Sequence, residues 1–106
     1  MTCLEVRIED EVFENIKDFY EFSLQKHPTL DEATVLNKEQ RLIGALKHLG
    51  TYALTDHTIV RHIPWIRKGY KDYYVEGFHF GYKIEILPSG EYGVVVYEAL
   101  HELMFD

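Results

Sequence analysis

A chain of 106 residues suits one domain, spanning 1–106, and leaves no room for two. Hydrophobic residues at 46%, charged residues at 27% and only 3 Pro and 7 Gly exclude a disordered chain, and no apolar run reaches the length a bilayer demands. The net charge of −7, from 11 basic and 18 acidic residues, argues against a protein that grips nucleic acid over its whole surface.

At the N-terminus, "MTCLEVRIED" carries charges where a signal peptide needs an apolar stretch, so a cytoplasmic location is expected. The single cysteine, Cys3, cannot close an intrachain disulfide and lacks an evident base beside it. In "CLEVRI", Leu4, Val6 and Ile8 alternate with Cys3, Glu5 and Arg7, the period-two pattern of a half-buried strand. From Asp10 the period becomes helical, with Val12, Phe13, Ile16, Phe19, Tyr20 and Leu24 on one stripe. Glu9, Asp10 and Glu11 suit the positive end of that helix, Lys26 and His27 suit its negative end, and Pro28 stops it.

"TLDE" then reads as a capping box, with Thr29 accepting from the Glu32 amide. Val35, Leu36, Leu42, Ile43, Leu46 and Leu49 give the second helix its apolar stripe. Gly44 inside it suggests close helix packing, and Gly50 is expected as its left-handed C-terminal cap. The short link predicts an antiparallel helical hairpin. From Gly50 to about Ile63 the pattern is irregular, and β-formers dominate afterwards.

"GYKDYYVEG" and "FGYKIEIL" read as strands, the second with Tyr82, Ile84 and Ile86 on one face. Pro88, Ser89 and Gly90 form a turn, with Pro88 presetting its first central position. "YGVVVYEAL" is apolar on both faces, as a central strand must be. The predicted fold is α+β: an N-terminal strand, a helical hairpin, then a mostly antiparallel sheet with both helices on one face.

The segment Tyr70–Glu102 carries "YKDYY", "GYKIEI" and "GVVVYEALHE". These pieces, with the order of elements, resemble the RelE/ParE superfamily of bacterial toxins from toxin–antitoxin pairs. The resemblance implies a toxin neutralised by a cognate antitoxin protein, without a cofactor. It implies as target either messenger RNA on the ribosome, cleaved by a metal-independent endoribonuclease, or gyrase; a catalytically inactive interaction module on the same fold is the alternative, and a homodimer is left open. Two departures bear on the ribonuclease branch. Lys83 stands where the middle strand of the family commonly has arginine, and His101 is followed by Glu102, Leu103, Met104, Phe105 and Asp106 rather than by basic residues.

Cleavage of RNA by such a protein needs cations on the scissile phosphate and a proton carrier. Under the resemblance, Lys71 and Lys83 are the candidate phosphate clamps, and Tyr97 and His101 the candidate proton carriers. Strict alternation puts Tyr97, Ala99 and His101 on one face of their strand. Five basic residues against two acidic ones fall between Arg61 and Lys83, interleaved with aromatics. Arg61, Arg67, Lys68, Tyr70 and Tyr73 are therefore the candidate RNA contacts, since bases stack on aromatic rings beside cations. The enzyme reading requires these cations to converge with His101 in one hollow. Among six histidines, His57, His62 and His79 lack the spacing of a metal motif, and no metal site is expected.

Overall fold

The computed structural model describes residues 4–26, 31–53 and 59–102 (Tyr52 in its backbone only). Calls on Cys3, His27, Pro28, Thr29 and His57 lie outside those residues. The elements run β1 (Glu5–Ile8), α1 (Asp10–Lys26), α2 (Glu32–Lys47), α3 (Leu49–Tyr52), α4 (Ile63–Lys68), β2 (Lys71–Val75), β3 (Phe78–Ile86) and β4 (Tyr92–His101). The architecture is α+β with a mixed four-stranded sheet in the order β1-β4-β3-β2. The pairs β2–β3 and β3–β4 are antiparallel, and β1 runs parallel to β4. The strand that reads as apolar on both faces is indeed central. Among the described residues no helix is long and apolar enough to cross a membrane.

Amphipathic periodicity places α1 and α2 on one face of the sheet. Val12, Ile16 and Tyr20 of α1 meet Val35, Leu42 and Leu46 of α2 over Phe78, Phe80, Tyr82, Val94, Val96 and Ala99. Complete burial of side chains such as Leu42, Leu46 and Val96 contributes about 1.5–3 kcal/mol each. Where β1 ends, the pairing with β4 continues: the amide of Glu9, between β1 and α1, donates to the Val96 carbonyl at 3.0 Å, and Asn15 Oδ1 of α1 accepts from the Ala99 amide at 3.0 Å.

Two hairpins close the sheet. Glu76 and Gly77, at φ 47° and 87°, form a two-residue turn of the left-handed kind that matches strand twist. In the other, Pro88 occupies the first central position and the Gly90 amide donates to the Leu87 carbonyl at 2.8 Å, as its sequence predicts.

Four local expectations need correction. The second helix begins at Glu32, and its cap is Asp31, whose carboxylate accepts from the Thr34 amide at 2.7 Å. Gly50 is no left-handed cap: α2 ends at Lys47 with His48 as its cap, and Gly50 lies in α3 with its Cα against the backbone of Leu4. A Cβ there would sit 2.0 Å from the Leu4 carbonyl oxygen. Gly44, by contrast, meets no atom of the described residues beyond its own helix within 4 Å of an added Cβ, so close helix packing does not explain it. The stretch before β2 contains α4, which lies on the sheet face opposite to α1 and α2; its Trp65 is 2% exposed and covers Gly81. The expected pair α1 and α2 shares one face, and α4 is an additional short helix on the other.

The two glycines predict opposite outcomes. Gly44→Ala should stabilise the protein by about 0.5–1 kcal/mol, because alanine suits a helix interior and nothing obstructs it. Gly50→Ala should destabilise it by about 1–3 kcal/mol or more, because strand β1 must move away. Urea unfolding of both variants checks the signs.

Candidate functional site

The outer face of the sheet, away from α1 and α2, is shaped by one irregularity. Gly81 pairs with Glu98 and Tyr82 with Val96, so Tyr97 is an extra residue in β4 without a partner in β3. Such a bulge sends two consecutive side chains toward the same side and resets the alternation beyond it. Tyr97 and Glu98 therefore share the outer face. Ala99 packs into the core beneath the helices, and His101 follows on that side. The expectation that Tyr97, Ala99 and His101 share a face is overturned, because the bulge breaks strict alternation between Tyr97 and Ala99.

Tyr97 stacks on Tyr70, ring centroids 5.2 Å apart and planes within 2°. Tyr70 arrives from the end of α4, where the chain turns at Gly69 in the left-handed conformation, φ 76°. Two cations flank its ring: Lys68 Nζ at 5.6 Å and Lys83 Nζ at 5.5 Å from the centroid. Each such contact contributes about 0.5–1 kcal/mol at an exposed site. The cations do not stand alone. Lys68 Nζ lies 3.2 Å from Glu98 Oε2, and the Tyr97 hydroxyl donates to Glu85 Oε2. Two lysines and two glutamates leave the cluster without net charge.

The hydrogen bond to Glu85, reinforced by burial and by the Glu85 charge, pushes the Tyr97 hydroxyl up to about 12. Burial, followed by the Glu98 charge, raises Tyr70 as well. A proton carrier works best with a pKa near the working pH. Tyr97 is therefore a hydrogen-bond donor at neutral pH and a poor acid or base.

His101 occupies a different setting. Its ring stacks on Phe19 of α1 at 3.9 Å and meets the edge of Phe78 at 5.0 Å. Burial between these rings pushes the imidazole below its ordinary value, against the opposing pull of Glu102.

The remaining candidates disperse. Tyr73 packs against the helix-side core. Lys71 is exposed at the start of β2, Arg67 on α4 and Arg61 in the extended run before it. Of the nine candidates, Lys68, Tyr70, Lys83 and Tyr97 come together, without His101.

Sequence reasoning missed three acids on the outer face. Glu85 and Glu98 neutralise the cluster. Asp72, 3% exposed, holds His79 Nδ1 at 2.9 and 3.1 Å through its two carboxylate oxygens. Gly81, midway along β3, was the available signal: its missing side chain leaves room for the Trp65 and Tyr70 rings to approach the sheet. Among the described residues no three His, Cys, Asp or Glu side chains gather as metal ligands.

Two pH dependences follow. Tyr97 holds its proton more tightly when folded, so its contribution to stability is complete below pH 10 and is lost as pH rises toward about 12. Glu85→Gln should lower the Tyr97 pKa toward 10 and flatten that loss, as read by ultraviolet titration and alkaline unfolding. His101 holds its proton less tightly when folded, so stability should fall as pH drops below about 6.5. His101→Phe should reduce that acid slope, as read by thermal unfolding across the pH range.

Comparison with family models, with curated proteins and with solved structures finds no match to this chain.

Proposed function

We propose that this chain is the toxin component of a RelE/ParE-type toxin–antitoxin pair, and that it acts by binding its target rather than by cutting RNA. The order of strand, two long helices and three strands supports the RelE/ParE-like reading, as do the segments "YKDYY", "GYKIEI" and "GVVVYEALHE". The observation that carries the binding mode is the bulge in β4, which leaves Tyr97 and His101 on opposite faces of the sheet. A phosphate at Tyr97 would meet lysines balanced by Glu85 and Glu98, on a chain of net charge −7. A stacked tyrosine pair ringed by compensated charges suits a protein surface, where aromatic residues anchor and charges set orientation. Gyrase is the target class this mode favours. A cytoplasmic site of action and a cognate antitoxin belong to the same reading. The ribonuclease reading draws on the approach of Lys68 and Lys83 to the tyrosine stack.

Expression in a bacterial host tests the proposal. Growth should stop when the chain is made alone and resume when the adjacent small gene is co-expressed. Ribosome-bound messenger RNA should stay intact with wild type, Lys71→Ala and His101→Ala alike, while gyrase supercoiling should be inhibited. Cleavage lost in either variant would overturn the binding mode. Unimpeded growth would overturn toxicity and leave the interaction module.

A further inference from the structure

The run from Ile59 to Lys68, "IVRHIPWIRK", differs in chemistry from the rest of the chain. It holds three of the 11 basic residues, and all 18 acidic residues lie outside it. Within it, α4 advances 100° per residue. Trp65 points into the sheet, so Ile63, Ile66 and Arg67 share the opposite side, spanning about a third of the circumference. Ile63 is 61% and Ile66 53% exposed, and Ile59 just before the helix is 76% exposed. These are large aliphatic side chains held in water on a well-fixed support. Pro64 sits in the first turn, the Tyr70 amide donates to the Trp65 carbonyl at 2.9 Å, and Trp65 anchors the helix from below.

Charge selects the occupant. Lys68 is engaged by Glu98. Arg61 and Arg67 are exposed and have no ion-pair partner among the described residues. A two-fold dimer through this face would set the same cations against each other. Three exposed isoleucines also make a patch far smaller than the roughly 800 Å2 per partner of a standard interface. Single-stranded nucleic acid binds through aromatic platforms, and this face offers isoleucine. A short helix with apolar residues along one stripe and carboxylates beside it matches both the shape and the sign.

We propose that the outward face of α4, with Ile59, Ile63 and Ile66 flanked by Arg61 and Arg67, is a docking site for an acidic amphipathic segment of a partner protein. The site is separate from the Tyr70–Tyr97 cluster, and its occupancy is measurable whether or not the chain arrests growth.

The test uses the full chain, labelled with 15N, and two synthetic helices. Both carry leucine at i, i+3, i+4 and i+7; one has glutamate at the flanking positions and the other lysine. The acidic helix should bind, shift resonances confined to 59–68, and weaken as salt rises. Arg67→Glu and Ile66→Ser should each weaken it on the order of 10-fold. Both positions are exposed, and unchanged thermal unfolding confirms that the variants fold. Absence of binding, equal binding of the lysine helix, an unaffected Arg67→Glu variant, or shifts centred on the α1–α2 groove at Phe13 and Ile43 would each overturn the proposal. Concentration-dependent dimerisation through 59–68 would assign the face to a second copy instead, and a single-stranded oligonucleotide shifting the same resonances would assign it to nucleic acid.

Discussion

The single extra residue in β4 governs what the rest of this molecule can do. Opposite Gly81, the strand carries two residues where its partner carries one. Before that point Val94 and Val96 face the helices; after it Ala99 and His101 do. Without the extra residue, everything beyond it would turn over, presenting a solvated face to the core. The core therefore holds the bulge in place, and the bulge in turn delivers Tyr97 and Glu98 side by side to the outer face. Gly81 completes the arrangement, because only a residue without a side chain lets Trp65 and Tyr70 close over the sheet at that point.

Charge on that outer face is arranged as pairs rather than as a field. Lys68 meets Glu98, the Tyr97 hydroxyl meets Glu85, and Asp72 meets His79. Paired groups hold a surface in one geometry while projecting little potential beyond a Debye length of about 8 Å. A site built this way orients a partner at close range and does little to attract a distant polyanion. The proposed preference for a protein target over RNA rests on that distinction. The α4 face, whose Arg61 and Arg67 have no ion-pair partner among the described residues, has the opposite character.

Local patterns disclosed most of the fold. Alternation in β1, the stripes of α1 and α2, the turn at Pro88–Gly90 and the apolar run of β4 each depend on neighbours in sequence, and each appears where the pattern puts it. What stayed hidden depends on distant residues. Six residues of α4 are too few for a helical period to emerge, and its isoleucines and tryptophan mimic a strand. Gly50 is required by Leu4, and Lys68 is neutralised by Glu98, pairings that no local window contains. The bulge carries no glycine or proline at Tyr97 or Glu98; its mark lies at Gly81 on the neighbouring strand. How the candidate residues group in space was therefore not legible in the sequence. Four of them meet around the Tyr70 ring, while His101 is withdrawn beneath α1.

Strand β1 has consequences for how the protein comes into being. Its partner in the sheet is β4, with Glu5 beside Gly93 and Ile8 beside Val96. A contact separated by roughly 90 residues closes late and raises the loop entropy to be overcome during folding. On the ribosome, β1 and the helices emerge long before the strand that unites them, so the helical stripes face water until the final hairpin is released. A nascent chain interrupted before β4 lacks the strand that joins β1 to β3 and carries Tyr97 of the tyrosine stack.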